Sequence, residues 1–337
     1  MKCIGLVVHH GKEAAIAAAD VVREWAKRRE LACVELDVWD EPDRPATPVS
    51  PDLIVTVGGD GTFLRGVRAA AANDALVLGI DVGRVGFLTE ITVESIPATL
   101  EAVCRGDHLV DERMVLTARA SRPLAIPEEI QAVIQYGRGP TFPPCPDRPR
   151  AGENSGWGVP LDLAALNDIV FEKLSRDRQA SLGVYVMGRH FASYSADALI
   201  VSTPTGSTAY NFSAGGPILS PSMDALVFTP VAPHMIFDRS LVLGGDQRIG
   251  VRVLERSGPV TVSVDGQLRG VIEAGDWVSV YASGYRARLV RLQDTDFLAR
   301  VRQRFHLADA AAALADGRAD EVFDPGGPMP PDRLGRS

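Results

Sequence analysis

Short apolar runs alternate with amphipathic stretches along the N-terminal third of the chain. Cys3–Val8 and Leu76–Ile80 have the length and composition of buried strands. Lys12–Arg29 carries apolar residues at helical spacing, which predicts an amphipathic helix. The other predicted strands are Val34–Val38 and the apolar run that ends at Val57. The other predicted helices are Phe63–Ala72 and Ser95–Arg105. Strands and helices that alternate in this way predict an α/β layer with a parallel sheet.

The pattern changes after Asp111, where short β-rich runs are separated by turn residues. The runs are Val115–Ala120, Ile169–Glu172, Gly183–Val186, Leu199–Ser202, Val251–Leu254, Val260–Val264 and Trp277–Ala282. Runs of this length and spacing are typical of an all-β, sandwich-like domain.

The sequence therefore predicts two domains. The α/β domain comprises residues 1–110 together with a returning helical segment at about 293–310, and the β-sandwich domain comprises residues 111–292. Residues 121–163 are rich in Pro and Gly and are interpreted as a loop inserted into the second domain. Residues 317–337 are expected to form a loose tail.

Composition and charge exclude several classes of protein. The 337 residues carry a formal net charge of −8, which argues against binding to nucleic acid or to anionic membranes. The cysteines are far apart and form no C-x-x-C pair, so neither a zinc site nor a disulfide framework is predicted. No apolar run approaches ~18 residues, and no secretory signal is seen. We therefore expect a cytoplasmic protein that does not bind membranes.

The candidate chemistry begins where an apolar strand ends in Gly58-Gly59-Asp60-Gly61-Thr62. A glycine turn between a strand and a helix exposes backbone N–H groups at the helix N-terminus, where phosphate binds favourably. Gly58, Gly59, Gly61 and Thr62 are therefore candidate phosphate ligands. A carboxylate among phosphates is repelled unless it meets a metal ion or takes a proton, so Asp60 is a candidate general base or metal partner. In the alternative interpretation, Asp60 and Thr62 only form the turn and cap the helix.

A second glycine-rich stretch, Asp81 to Glu90, follows the strand Leu76–Ile80. Ligands of parallel α/β sheets bind beyond the carboxyl ends of the strands. Since both glycine stretches lie at such ends, we expect them to share one site. The chain contains no Gly-x-x-x-x-Gly-Lys-Ser/Thr motif, which excludes an ordinary P-loop.

Two short motifs in the second domain combine polar groups with a turn. Asn167-Asp168 places an amide beside a carboxylate, and together these groups can bind the vicinal hydroxyls of a ribose. A capped strand start or a turn would use the same two residues. Val264-Asp265-Gly266 has the composition of a hairpin turn.

The stretch from Thr203 to Tyr210 is a run of small, mostly hydroxylated residues followed by an aromatic ring. Its hydroxyls and backbone groups suit a polar ligand, and the Tyr210 ring offers a face on which adenine or nicotinamide can stack. Alternatively, Thr205 or Ser207 caps a helix that begins here.

Together these motifs resemble those of the ATP-NAD kinase family, in the family's order along the chain. The resemblance rests on Gly58 to Thr62, Gly83 to Thr89, Asn167-Asp168, Thr203 to Pro217 and Val264 to Gly266. It implies an α/β domain, a β-sandwich domain and a site between them. It also implies transfer of the γ-phosphoryl group of ATP to the 2′-hydroxyl of the adenosine ribose of NAD, with a divalent metal ion, expected to be Mg²⁺.

The resemblance further implies roles for individual residues. Asp60 would be the general base. The implied NAD-binding residues are Asp60, Gly61, Phe87, Asn167, Asp168, Asp197, Thr205, Thr208, Ala209, Tyr210 and Asp265. Asp197 would act from a neighbouring subunit, since the family forms dimers or tetramers. No residue is assigned as a metal ligand.

Some positions depart from the family pattern. Asp168 stands where many members have Glu, Asp81 stands where Asn is common, and Ser195 replaces a frequent Arg. These differences concern affinity and the preference between NAD and NADH rather than the class of reaction.

Two other functions stay open at this stage. A lipid or sphingoid kinase would share the glycine loop, but the Thr203 to Tyr210 stretch is more specific to the ATP-NAD kinases. A non-catalytic NAD-binding sensor would not need an intact Asp60. The range of phosphoryl donors also stays open, since the sequence is compatible with ATP alone or with polyphosphate as well.

Overall fold

The computed structural model describes residues 1–36, 50–83, 86–128, 130, 158–175, 178–235, 237–294 and 296–308. Met1–Phe297 form one compact unit, and a second unit begins at Leu298. A helix at Phe297–Arg304 lies within the segment predicted to be helical. The predicted tail at 317–337 and most of the predicted inserted loop lie outside the described residues.

Four parallel strands and three helices form the N-terminal layer. The strands are β1 (Cys3–Val8), β2 (Ala32–Glu35), β3 (Leu53–Gly58) and β4 (Leu76–Asp81), in the order β2-β1-β3-β4. The helices are α1 (Glu13–Arg28), α2 (Asp60–Asn73) and α3 (Ile96–Arg105). β1 and β3 are buried along their whole length, because α1 and α3 pack in the core on one face of the sheet and α2 in the core on the other. The predicted parallel α/β layer is confirmed.

The remaining strands form two facing layers. The first sheet contains β7 (Asp168–Lys173), β10 (Ala198–Ser202), β11 (Ala225–Val231), β12 (Leu241–Gly244), β14 (Val260–Val264) and β15 (Gln267–Ile272). The second continues the N-terminal sheet with β5 (Leu109–Ala120), β6 (Val159–Ala165), β8 (Ala180–Val186), β9 (Arg189–Ala196), β13 (Arg248–Val253) and β16 (Trp277–Arg291). Their pairs are antiparallel, apart from β16 with β4. Apolar side chains of both sheets, such as Phe171 and Val184, meet in one core, which confirms the predicted β-sandwich part.

β5 and β16 are long strands of 12 and 15 residues that connect the two parts of the fold. They pair antiparallel from Leu109 opposite Arg291 to Ala120 opposite Val278, with an irregularity between Ala282 and Arg286. β16 also lies parallel to β4. Residues at the start of β5 and the end of β16 are therefore next to the α/β layer.

The structure differs from the sequence-based elements at several points. α2 begins at Asp60 rather than Phe63 because Gly59 is its N-cap. The prediction that the inserted loop runs to Leu163 is wrong at its C-terminal end, since β6 begins at Val159 and pairs with β5. β9 was missed because it is an edge strand with mostly polar, exposed residues and no apolar run. Among the helices described, none is long and apolar enough to cross a membrane.

Candidate active site

The first glycine turn joins β3 to α2. Gly59 is the N-cap residue in an extended conformation, and Asp60 is the first residue of the helix. A Cβ on Gly58 would lie 2.8 Å from the Cβ of Thr62, so this turn has no room for a larger residue. A Cβ on Gly59 or Gly61 would meet nothing within 4 Å. The N-terminus of α2 therefore has open space next to two glycines, where a phosphate can approach backbone N–H groups.

Thr62 packs under this turn. The residue is 2% exposed, and its side chain lies against Gly58. Its backbone N–H donates to the carbonyl of Gly59 at 2.9 Å. The hydroxyl of Thr62 is buried and its N–H is used within the turn, so Thr62 helps to shape the turn, and its contact with phosphate stays a prediction.

The Asp60 carboxylate is held by the second glycine loop. Its Oδ2 accepts a hydrogen bond from the N–H of Phe87 at 3.1 Å, and its Oδ1 accepts one from the N–H of Leu88 at 3.2 Å. A Cβ on Gly86 would lie 2.6 Å from Cγ and 2.7 Å from Oδ2 of Asp60. These partners are distant in sequence, which is not the arrangement of a residue that only forms its own turn. The two glycine stretches meet at Asp60, as expected from their position at the strand ends.

Asp81 gives the second glycine loop its shape. Its carboxylate accepts hydrogen bonds from the N–H of Gly83 at 2.8 Å, the N–H of Gly86 at 3.2 Å and the hydroxyl of Thr89 at 3.1 Å. These three donors hold Gly83, Gly86 and Thr89 at one carboxylate, and Phe87, which follows Gly86, donates to Asp60. The Phe87 residue is half-buried.

The Asn167-Asp168 turn is held by the two other second-domain motifs. The Asp265 carboxylate accepts hydrogen bonds from the N–H groups of Leu166, Asn167 and Asp168 at 3.1, 2.8 and 3.3 Å. The N–H of Thr203 donates to the Asn167 carbonyl at 2.9 Å. Because its carboxylate accepts three hydrogen bonds from this backbone, Asp265 supports the turn, and its direct contact with NAD stays a prediction.

Burial raises the pKa of Asp168, which lies in this turn, and of Asp265, which supports it. Asp168 is 4% exposed, and burial together with the neighbouring Asp265 raises its pKa to about 8. Burial also raises the pKa of Asp265, against the opposing effects of Arg68 and of three backbone N–H groups. Asp168 therefore keeps its proton near neutral pH in the absence of a ligand, so it can donate a hydrogen bond as well as accept one.

The hydroxyls of the Thr203 to Tyr210 stretch are largely used within the protein. Ser207 Oγ donates to the Pro204 carbonyl at 2.6 Å, and Thr208 Oγ1 donates to the Thr205 carbonyl at 3.3 Å. Thr205 to Thr208 form a 3₁₀ turn, so neither Thr205 nor Ser207 is the N-cap of an α-helix. Tyr210 is 39% exposed and keeps a ring surface for a ligand.

Asp197 has a partner within its own chain. Lys173 Nζ lies 2.5 Å from Asp197 Oδ1, and the backbone N–H of Lys173 donates to the Asp197 carbonyl. This ion pair is partly exposed, so it leaves the Asp197 carboxylate within reach of a further polar group.

The glycine turn and the Asn167-Asp168 turn share one hydrophobic core. Leu64 of α2, Leu88 of the second glycine loop and Leu166 belong to the same buried cluster. Arg68 of α2 also donates to the Gln267 side chain at 2.6 Å, close in sequence to Asp265. The structure thus brings together the predicted phosphate turn and the predicted NAD-binding turn.

The sequence analysis missed three charged residues beside this site. Arg291 donates to the Leu88 carbonyl at 3.0 Å, Arg113 approaches the Thr205 hydroxyl at 3.4 Å, and Asp111 lies between the two guanidinium groups. Single charged residues in strands give no local signal of such contacts, because their neighbours depend on strand pairing.

A metal site made by the protein alone is not found in the described part of the chain, where no three His, Cys, Asp or Glu side chains converge. Asp60 lies at the open N-terminus of α2, and both its oxygens already accept backbone hydrogen bonds. Magnesium commonly binds through one or two carboxylates together with substrate phosphates. These residues therefore fit a metal ion that enters with a nucleotide better than a resident metal.

Comparison with known proteins places these features in a family. Residues 44–108 match the model of the ATP-NAD kinase N-terminal domain, and residues 166–292 match that of the ATP-NAD kinase C-terminal domain. NAD kinase 1 of Streptomyces coelicolor is 54% identical over 335 residues, which cover 98% of this chain and 92% of that protein. The NAD kinase of Heliobacterium modesticaldum is 34% identical over 90% of this chain and 98% of its own length. The chain belongs to the ATP-NAD kinase family.

Solved structures agree with this assignment at the level of the fold. A yeast NADH kinase crystallised with NADH has a TM-score of 0.71 and 20% identity, covering 92% of this chain and 89% of that chain. An NAD kinase from Archaeoglobus fulgidus crystallised with ATP has a TM-score of 0.61 and 21% identity, covering 90% of this chain and 97% of that chain. The ATP-NAD kinase fold thus extends over both the α/β layer and the β-sandwich.

The family assignment decides between the functions left open by the sequence. The two matched regions include both glycine stretches and all three second-domain motifs, and the relatives that match along nearly the whole chain are named NAD kinases. The chain is therefore a phosphotransferase of the NAD kinase type. Neither a lipid or sphingoid kinase nor a non-catalytic sensor is supported.

Proposed function

We propose that this chain transfers the γ-phosphoryl group of ATP to the 2′-hydroxyl of the adenosine ribose of NAD, with Asp60 as the general base. The observation that carries the proposal is the position of the Asp60 carboxylate. It lies at the N-terminus of α2 and is fixed by the N–H groups of Phe87 and Leu88 at 3.1 and 3.2 Å. A fixed carboxylate next to a helix N-terminus, where phosphate binds favourably, supports this role.

The Asp60 carboxylate has capacity left for the reaction. Each carboxylate oxygen can accept more than one hydrogen bond, so the two backbone donors orient the group without occupying it fully. The ribose hydroxyl loses its proton to Asp60 as its oxygen bonds to the γ-phosphorus. The bond from that phosphorus to the bridging oxygen breaks, and ADP leaves. A positioned base contributes about 10²–10⁴-fold to such a step.

The triphosphate would lie at the N-terminus of α2. Gly59 and Gly61 have open space at the position of a Cβ, and the helix end favours negative charge. Mg²⁺ bound to the ATP phosphates would neutralise charge on the transferred group. Polyphosphate has the same chemistry as the triphosphate, so we include it as a possible donor.

NAD would bind between the second glycine loop and the second-domain turns. Phe87 is half-buried beside Asp60, and Asn167 and Asp168 form the turn that packs against the same core. Protonated Asp168 can donate to a ribose oxygen, and the amide of Asn167 can both donate and accept. Thr208 and Ala209 lie in the turn that leads to the exposed ring of Tyr210.

Two further parts of the proposal concern the assembly and the location of the protein. We infer a homodimer or homotetramer in which Asp197 reaches the NAD of a neighbouring subunit, because its carboxylate keeps an exposed side next to Lys173. We also infer that the protein works in the cytoplasm. Light scattering of the purified protein, with and without NAD, checks the assembly.

Asp60→Asn tests the role of the base. The amide preserves the size of the side chain but cannot take the ribose proton, so kcat should fall by about 10²–10⁴-fold while the affinity for NAD changes much less. The NH2 group of Asn cannot accept a hydrogen bond, so the N–H of Phe87 or of Leu88 also loses its acceptor. Asp74→Asn is a matched control at the other end of α2, where Asp74 has a left-handed conformation that Asn also tolerates. Its kcat should equal that of the wild type.

The assay is formation of NADP from NAD and MgATP. Wild-type turnover by Asp60→Asn, in a variant that is as stable as the parent, would refute the catalytic role. Recovery of turnover at high Mg²⁺ would instead assign Asp60 to metal binding. Absence of NADP formation by the wild-type protein would refute the proposed function itself.

A further inference from the structure

A chain of three charged side chains connects the second glycine loop, at Leu88, to the turn that begins at Thr205. Arg291, at the end of β16, is 4% exposed, and Arg113, on β5, is 7% exposed. Asp111 joins them, since it accepts a hydrogen bond from Arg113 Nε at 2.7 Å and one from Arg291 Nε at 3.3 Å. All three residues lie in the segments of β5 and β16 that are next to the α/β layer.

Arg291 binds the second glycine loop at Leu88 and Glu90. Its Nη1 donates to the carbonyl of Leu88 at 3.0 Å and pairs with the Glu90 carboxylate at 2.7 Å. The N–H of the same Leu88 donates to Asp60. Leu88 is therefore held through its N–H by the proposed base and through its carbonyl by a guanidinium group.

The two guanidinium groups of the cluster are buried, whereas the Asp111 carboxylate is partly exposed. Burial lowers the pKa of Arg291 to about 10, and the positive charge of Arg113 adds to this effect. Arg291 therefore stays cationic near neutral pH. Burial alone would raise the pKa of Asp111, but hydrogen bonds and charges from Arg113 and Arg291 outweigh it, and the pKa is lowered. Buried ion pairs add little net stability compared with apolar packing. We therefore explain the presence of this cluster by the geometry that it imposes on the second glycine loop rather than by a contribution to stability.

We propose that Arg291 is a positioning residue for phosphoryl transfer, which holds Leu88 by its carbonyl so that Phe87 and Leu88 present their N–H groups to Asp60. Asp111 keeps the guanidinium plane of Arg291 in the required orientation. This inference rests on the proposed function of Asp60. A planar guanidinium can serve Leu88, Glu90 and Asp111 at once, whereas a lysine has one nitrogen for all three.

Arg291→Lys tests the proposal because it keeps the positive charge and removes the fork of donors. We expect kcat to fall by about 10–100-fold, since small displacements of a reacting group are costly, and the KM values for NAD and ATP to stay within about threefold. Arg286→Lys is the matched control on the same strand. Arg286 forms an exposed ion pair with Asp224 at 2.8 Å, so kcat of this variant should be unchanged.

A double-mutant cycle separates positioning of Asp60 from a general effect on the fold. If Arg291 acts through Asp60, Arg291→Lys should change kcat by less than about twofold once Asp60 has been replaced by Asn. An equal loss of kcat in the wild-type and Asp60→Asn backgrounds would overturn the proposal. Unchanged kcat of Arg291→Lys in the wild-type background would do the same.

Amide hydrogen exchange gives a readout that does not depend on activity. We expect the peptide containing Gly86 to Glu90 to exchange at least about tenfold faster in Arg291→Lys than in the parent or in Arg286→Lys. Unchanged exchange would refute the positioning role, whereas a wild-type protein that makes no NADP would refute the proposed function. If Arg291→Lys does not fold, Asp111→Asn takes its place. Asp111→Asn should also lower kcat and speed up amide exchange of the Gly86 to Glu90 peptide, both by smaller factors than Arg291→Lys. If both kcat and the exchange rate of Asp111→Asn equal those of the wild type, the proposal is overturned.

Discussion

Replacing Gly86 by Ala should displace the proposed base without changing any polar group. A Cβ at this position would lie 2.7 Å from Oδ2 and 2.6 Å from Cγ of Asp60, and closer still to Oδ1, whereas ordinary contacts begin at 3.4 Å. Either the carboxylate or the loop that binds it must therefore move by about 1 Å. A displacement of this size costs about 10²-fold in rate, or about 2.7 kcal/mol of transition-state stabilisation. We expect kcat of Gly86→Ala to fall by about 10²-fold.

Gly61→Ala is the matched control for this substitution. A Cβ on Gly61 meets no protein atom within 4 Å, so this variant should fold like the parent and keep the Asp60 geometry. Its methyl group would instead occupy the space proposed for the phosphates, which should raise KM more than it lowers kcat. The assay is steady-state formation of NADP, with thermal unfolding measured in parallel. A Gly86→Ala variant with kcat within about threefold of the wild type would refute the argument that Asp60 must occupy this position.

Two further predictions concern the second-domain residues. Tyr210→Ala should raise KM for NAD while kcat changes little, because the exposed ring offers a stacking surface; a loss confined to kcat, measured by steady-state kinetics, would contradict a binding role. Asp168→Asn should remove a pH dependence of stability. The folded protein holds the Asp168 proton up to about pH 8, whereas the unfolded chain releases it near ~3.9. The contribution of this group to the free energy of unfolding of the parent therefore falls as the pH rises between those values. The melting temperature of Asp168→Asn without ligand, relative to that of the parent, should therefore be higher at pH 9 than at pH 5. A difference that does not change with pH would contradict the assigned pKa.

The sequence by itself determined the two architectures and the chemical character of the site. Hydrophobic periodicity is a local property, so the parallel layer around β1 and β3 and the β-rich second part could be predicted from neighbouring residues. The glycine turn around Asp60 could be identified for the same reason, since its function depends on contiguous residues at a helix N-terminus. The family resemblance also came from short motifs in a fixed order.

The tertiary structure alone decided what the side chains of these motifs contact. Asp60 binds N–H groups 27 and 28 residues further along the chain, and Asp265 binds N–H groups 97 to 99 residues before it. Arg291 reaches Leu88 across 203 residues of sequence. The contact of Arg291 follows from the pairing of β16 with β5 and β4. A single polar residue in a strand does not indicate which strand will lie beside it, so the sequence alone does not predict this contact.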